Sequence, residues 1–211
     1  MDAKATVKVG PFARGGKRRV PTVAADHDFH PEATVTPVGI FLPTLDELFL
    51  YGITSKVTSD CLVDCLGRWW EVVHDRFAHI TTLVINLDNG PENQSRRTQF
   101  MQRIVDFAQL TGLTVRLAYY PPYHSKYNPI ERCWGILENH WNGALLDSIE
   151  AVIRLATTMT WKGKRPVVEL VTTTYQTGVK LTKEAMQMVE AQLQRLSGLD
   201  KWFVDIIHHS G

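Results

Sequence analysis

Apolar positions along this chain switch between a period of two and a period of three to four, and each switch marks an element. Residues Met1 to Gly10 alternate, with Thr6, Lys8 and Gly10 opposite Val7 and Val9, which predicts a first strand. A basic turn at Ala13 to Arg19 and an irregular loop over 21–34 separate it from two further strand candidates, Val35 to Leu42 and Glu47 to Thr54. From Ser59, which can cap a helix, Leu62, Cys65, Leu66, Trp69 and Val73 recur at helical spacing. Thr82 to Leu87 is an almost continuous apolar run, suited to a strand covered on both faces. A second helix is predicted from about Ser95 to Leu110, with Phe100, Met101, Ile104 and Phe107 on one side and Gly112 as its stop. Leu113 to Tyr119 then reads as another buried strand.

The third predicted helix carries several signals at its start. Asn128 can cap it, Pro129 suits the first helical position, and Glu131 falls where a capping box places its acid. Ile130, Trp134, Leu137 and Trp141 form an apolar stripe, and Glu131, Gly135, Glu138 and Asn142 share a neighbouring face. Gly135 costs about 1 kcal/mol of helix propensity relative to alanine, so a close approach to the backbone, by a sheet or a ligand, is expected there. A last helix is predicted from Thr182 to Leu196, with Met186, Val189, Leu193 and Leu196 on one face. The order of three strands, helix, strand, helix, strand, helix predicts an α/β protein, a mixed sheet with helices packed on it. Residues 1–160 are expected to form the core, and 161–211 a mainly helical C-terminal extension packed on the core or on a partner subunit.

Candidate chemistry sits at two of these element ends. Leu83-Val-Ile-Asn-Leu-Asp88-Asn-Gly-Pro-Glu-Asn93 puts an acid at the end of a strand, and Asn128-Pro-Ile-Glu131-Arg-Cys-Trp134 puts another at the start of a helix. Carboxylates delivered from separate rigid elements are what a pair of magnesium ions needs to hold both the attacking and the leaving oxygen of a phosphodiester. Each site also has a plainer explanation. Asp88-Asn89-Gly90 is a strong turn sequence, and Glu131 can simply complete a capping box. Only the two together point to a nucleic-acid-processing centre.

Composition narrows the field further. A formal net charge of +1 argues against a generally basic binder, so DNA contact has to come from local patches. Lys17, Arg18 and Arg19, then Arg96 and Arg97, then Lys162, Lys164 and Arg165 are candidate phosphate contacts; a solvated surface explains each cluster equally well. Three cysteines, Cys61, Cys65 and Cys133, suit a reducing interior, and no apolar run reaches membrane-spanning length. A cytoplasmic protein is expected, with no signal peptide. Asp26-His27-Asp28-Phe29-His30 matches no structural zinc pattern, and no glycine-rich nucleotide loop is present. The helical spacing of Trp69, Trp70, Trp134 and Trp141 favours core packing over base stacking.

The Leu-Asp88-Asn-Gly-Pro-Glu-Asn segment, the block Leu117-Ala-Tyr-Tyr-Pro-Pro-Tyr-His-Ser-Lys-Tyr-Asn-Pro-Ile-Glu131-Arg-Cys-Trp and the later Met159-Thr-Trp-Lys-Gly163 resemble the DDE-domain transposases of bacterial insertion sequences. Among these the chain is similar to the Rhodopirellula-type DDE transposase family and, more distantly, to mariner-like elements. The resemblance implies a ribonuclease-H-like fold and a triad of two aspartates and a glutamate. Asp88 matches the second aspartate and Glu131 the glutamate. The opening Asp2-Ala-Lys-Ala, followed by Val9-Gly-Pro-Phe and Arg14-Gly-Gly-Lys, resembles the sequence that begins at the first, which makes it Asp2. In the family the rest of a first strand and a DNA-binding region precede that aspartate, so truncation at the N-terminus is expected. The resemblance implies two magnesium or manganese ions held by Asp2, Asp88 and Glu131. Asn89, Glu92 and His124 are close in sequence to these ligands, which makes them candidates for outer or substrate contacts. It implies double-stranded DNA as partner, in the form of element ends and target, a homo-oligomer when full length, and a nucleoid-associated location. Strand cleavage and strand transfer are the implied reactions. A nuclease or resolvase of the same fold, and an inactive DNA-binding remnant, are the alternatives.

Overall fold

The computed structural model describes residues 1–17, 21–25, 30–121 and 127–207. In chain order these form β1 (Asp2–Ala3), β2 (Val7–Val9), β3 (Ala33–Leu42), β4 (Glu47–Ile53), α1 (Ser59–Val73), a 3₁₀ turn (His74–Phe77), β5 (Thr82–Leu87) and α2 (Thr98–Thr111). There follow β6 (Thr114–Tyr119), α3 (Ile130–Trp141), α4 (Ile149–Thr158), β7 (Val167–Val171), α5 (Lys183–Glu190), β8 (Leu193–Arg195) and β9 (Phe203–Ile206). The α/β expectation holds, with two mixed sheets in two compact units.

One unit comprises Asp2–Lys56 and Pro129–Thr174. Its sheet is built around β3, which pairs antiparallel with β1, β2 and β4, while β4 pairs parallel with β7. The first predicted strand is split. Asp2 pairs with Gly39 and Ala3 with Val38, but Val7 pairs with Val35, so the register slips by one residue in between. Pro37 sits opposite the slip and has no N–H to give; its carbonyl accepts from Lys4 N at 2.8 Å. The apolar stripe of α3 behaves as its spacing predicts: Ile130, Trp134, Leu137 and Trp141 are all buried, in one core with Val7, Val9, Val35, Leu48 and Leu50. Helix α4 adds Val152 and Ala156 to that core, and its start is fixed by Ser148 Oγ, which accepts from Ala151 N at 3.1 Å.

The other unit comprises Met1, Val57–Asn128 and Tyr175–Gly211. Its strand order is β5-β6-β9-β8, with β5 and β6 parallel and the remaining pairs antiparallel. Three expectations need correction here. The cap of α1 is Thr58, whose Oγ1 accepts from Cys61 N at 3.3 Å, while Ser59 Oγ donates instead to Glu92 O at 2.7 Å. Strand β5 is not covered on both faces: Ile85 and Leu87 are buried, whereas Val84 is 52% exposed. The C-terminal helix, predicted over Thr182 to Leu196, is capped by Thr182 but ends at Glu190. Leu193 and Arg195 leave it to pair with Ile206 and Val204, because strand pairing offers their backbone a full ladder. Of residues 161–211, predicted mainly helical, the described part to residue 207 thus contributes three strands and the helix α5. Gly112 stops α2 as predicted, in the left-handed conformation at φ 71°. Among the described residues no helix is long and apolar enough to cross a membrane.

Candidate active site

Asp88 follows the buried Leu87 at the C-terminal end of β5, and its side chain is exposed. Its Oδ1 accepts from Gly90 N at 3.1 Å and from Asn93 Nδ2 at 2.9 Å. The turn reading is therefore correct locally: Asn89 takes φ 62°, a conformation asparagine tolerates better than most residues. The turn opens into α2 rather than a hairpin, however, and both of its bonds fall on a single oxygen. Asn93 is itself held. Its N–H donates to Gly90 O at 3.2 Å, and its carbonyl accepts from the buried Tyr119 hydroxyl at 2.9 Å. Burial pushes the ionisation of that phenol far above its ordinary range, so it stays a donor.

In the other unit, Asp2 is 7% exposed and its Oδ2 accepts from Trp134 Nε1 at 2.8 Å. Glu131 lies three residues before Trp134 on α3, on the same side of the helix and one turn nearer its start. The capping-box alternative for Glu131 fails, because no side-chain cap bond forms at the start of α3. Glu131 is exposed and has no hydrogen bond or ion pair among the described residues. Of the two approaches expected at Gly135, a sheet or a ligand, the sheet is not there: a Cβ would meet no described protein atom within 4 Å. Helix α3 instead closes on Gly39, the strand partner of Asp2, where a Cβ would lie 2.6 Å from Trp134 Cη2 and 2.7 Å from Ile130 Cδ1.

One turn beyond Trp134, Glu138 pairs with Lys4 Nζ at 2.7 Å and Arg14 Nη2 at 2.6 Å. Burial raises its pKa, but the hydrogen bonds and charges of Lys4 and Arg14 outweigh that and hold it below the usual glutamate value. Glu138 is thus neutralised by cations on its own unit, whereas no described cation pairs with Glu131.

Asp2 and Glu131 belong to one unit and Asp88 to the other. Within either unit, among the described residues, no three His, Cys, Asp or Glu side chains form a set able to hold a metal ion. The donor chemistry suits a hard divalent cation nonetheless. Around Asp88, the buried Asn89 Oδ1 and Asn93 Oδ1 have no hydrogen-bond partner among the described residues. A buried acceptor without a donor costs about 1–3 kcal/mol, and water on a hydrated cation is a donor of the kind such oxygens need.

The remaining predicted contacts divide by what they touch. Arg18, Arg19 and His124 lie outside the described residues, while Lys17, Arg96 and Arg165 are exposed. Arg97 Nη2 faces Glu92 Oε2 at 3.4 Å, so these two engage each other. Lys162 Nζ sits 3.0 Å from Asp46 Oδ1, and Lys164 Nζ donates to Leu45 O at 2.7 Å, so both brace the turn between β3 and β4. The Trp161 indole donates to the same Asp46 carboxylate at 3.0 Å. With Lys162 it holds the Asp46 pKa below its ordinary value.

An acid closing a parallel strand and a second acid, without a partner among the described residues, at the start of a helix mark a mixed α/β protein with carboxylates on rigid elements. The profile of the Rhodopirellula transposase DDE domain matches residues 1–208, and the chain belongs to that family. No curated protein and no solved structure matches it.

Proposed function

We propose that this chain is the ribonuclease-H-like catalytic domain of an insertion-sequence transposase, cutting DNA strands at element ends and joining the freed 3′-hydroxyl to target DNA. Asp2, Asp88 and Glu131 would hold two magnesium or manganese ions. When bound, such ions supply Lewis acidity, activating water or a 3′-hydroxyl and stabilising the leaving oxygen. The observation that carries this reading is that, among the described residues, both acids of the family motif keep uncommitted oxygens, with Asp88 bonded through Oδ1 alone and Glu131 bonded to none. Had Glu131 capped its helix, or had Asp88 spent both oxygens on its turn, neither would be available to a cation.

The chain's own residues have three tasks. Buried donors fix the aspartates before any ion arrives, which lowers the reorganisation needed on binding. Exposed Lys17, Arg96 and Arg165 would take phosphates of double-stranded DNA, positioning it without reading its sequence. Glu138, already paired with Lys4 and Arg14, stays out of the chemistry.

The test is strand joining. A duplex ending in a free 3′-hydroxyl is incubated with supercoiled plasmid, the protein and Mn²⁺, and joined products are separated on a denaturing gel. A transposase domain gives covalent joints that vanish with a 3′-deoxy end. Nicking without joints would indicate a nuclease, and DNA binding with neither would indicate an inactive remnant.

A further inference from the structure

Each aspartate receives a hydrogen bond from a neutral side chain that is itself buried: Trp134 Nε1 to Asp2 Oδ2 at 2.8 Å, and Asn93 Nδ2 to Asp88 Oδ1 at 2.9 Å. Trp134 is 5% exposed and Asn93 7% exposed. Resting on the function proposed above, we infer that Trp134 and Asn93 are positioning residues that set which oxygen, and which angle, each aspartate offers to a metal ion.

The choice of donor matters. A lysine or arginine in either place would orient the carboxylate equally well but would cancel the charge that attracts a cation, as Lys4 and Arg14 do at Glu138. An indole or amide N–H orients without neutralising. Both donors are also held from behind. The Trp134 ring is wedged against Gly39, where any side chain would collide with it, and Gly39 is the residue paired with Asp2 across the sheet. One indole thus ties the strand of Asp2 to the helix that carries Glu131. Asn93 is fixed by its backbone, through Gly90 O and the Tyr119 hydroxyl. Its amide is oriented with Nδ2 on Asp88, which leaves Oδ1 as a buried acceptor without a described partner. That is the arrangement by which an amide can grip a ligand through one atom and accept from an ion-bound water through the other.

The experiment is Mn²⁺ binding to the full chain, measured by titration calorimetry and by electron paramagnetic resonance, in wild type, Trp134→Phe, Asn93→Ala, Tyr119→Phe and Asp88→Asn. Trp134→Phe keeps an aromatic ring and loses the N–H; Tyr119→Phe releases Asn93 without touching Asp88. Loss of an outer hydrogen bond to a metal ligand typically costs about 10- to 100-fold in affinity. Trp134→Phe and Asn93→Ala are expected to weaken Mn²⁺ binding by about 10-fold or more and to alter the spectrum of the bound ion, with Tyr119→Phe weaker in the same direction. A role confined to packing would lower the melting temperature and leave affinity and spectrum unchanged, overturning the inference. Should Trp134→Phe not fold, Asn93→Ala and Tyr119→Phe decide it. If Asp88→Asn binds Mn²⁺ as wild type does, the proposed function falls; if Asp88→Asn loses the ion while the positioning variants keep it, only this inference does.

Discussion

Gly39→Ala is a one-carbon change that tests whether α3 is seated as tightly as the geometry requires. The added Cβ would stand 2.6 Å from Trp134 Cη2, 2.7 Å from Ile130 Cδ1 and 3.0 Å from Trp134 Cζ2. Trp134 is a rigid ring and Ile130 Cδ1 a terminal methyl, but at 5% and 1% exposure both are packed in with little room to give. Relief therefore means moving the helix away from β3 or forcing the indole off its rotamer. Overpacking of this kind costs about 1–3 kcal/mol, against which the lost backbone entropy of glycine in the unfolded chain returns about 0.4–1 kcal/mol. The net expectation is a destabilisation of about 1–2 kcal/mol. For a chain of this size that lowers the melting temperature by about 2–8 °C, read by circular dichroism. Part of the clash is with ring atoms that phenylalanine lacks, so Gly39→Ala should cost less in a Trp134→Phe background, with a coupling of about 0.5 kcal/mol or more. Gly39→Ala as stable as wild type, or costs that simply add, would refute the reasoning.

Gly135→Ala should act in the opposite direction: the site is an open helix surface, and alanine is expected to stabilise by about 0.5–1 kcal/mol in a urea melt. For Glu138→Gln the sign follows from a folded pKa held below the unfolded one. The charged form is favoured by folding, so its contribution is full above about pH 4.3 and is lost as pH falls through the lower folded value. The stability gap between wild type and Glu138→Gln should be widest near neutrality and close below about pH 4; at 41% side-chain exposure it should not exceed about 1 kcal/mol. A gap that widens in acid would contradict this. Arg96→Ala should weaken DNA binding and reduce its log–log salt slope by about one, measured by fluorescence anisotropy. Lys164→Ala, whose ammonium is spent on Leu45 O, should lower the melting temperature with little change in that slope.

What the sequence made legible was local. The stripe of α3 follows from a period of 3.6 and is buried as predicted, and the stop at Gly112 follows from its freedom at positive φ. Asp88 stood out because an apolar strand ends at it, and Glu131 because it opens a capped-looking helix. What was not legible depends on partners distant in sequence. The Trp134 indole meets Asp2 across 132 positions, and nothing in the apolar stripe distinguishes an indole that donates from one that only packs. In sequence Asn93 is one polar residue of a turn-rich segment; the Tyr119 hydroxyl that donates to its carbonyl lies 26 residues on. The same limit applies to the glycines: Gly135 stands out by its helix propensity, whereas the pressure of Trp134 and Ile130 on Gly39 comes from residues more than 90 positions away. Leu193 continued a helical period convincingly, and only its pairing with Ile206 took it into a strand.

The most direct test of the central proposal is strand cleavage of plasmid DNA by wild type, Asp2→Asn, Asp88→Asn and Glu131→Gln, assayed in Mn²⁺, in Mg²⁺ and in chelator, with melting curves for each protein. Each substitution keeps the side chain's shape and removes one negative charge. The expected result is cleavage by wild type that requires the metal and falls to background in all three variants, with folding unchanged. Cleavage that persists in folded Asp88→Asn or Glu131→Gln, or that is indifferent to chelator, would contradict the assignment of these carboxylates to a metal-dependent DNA-cutting centre.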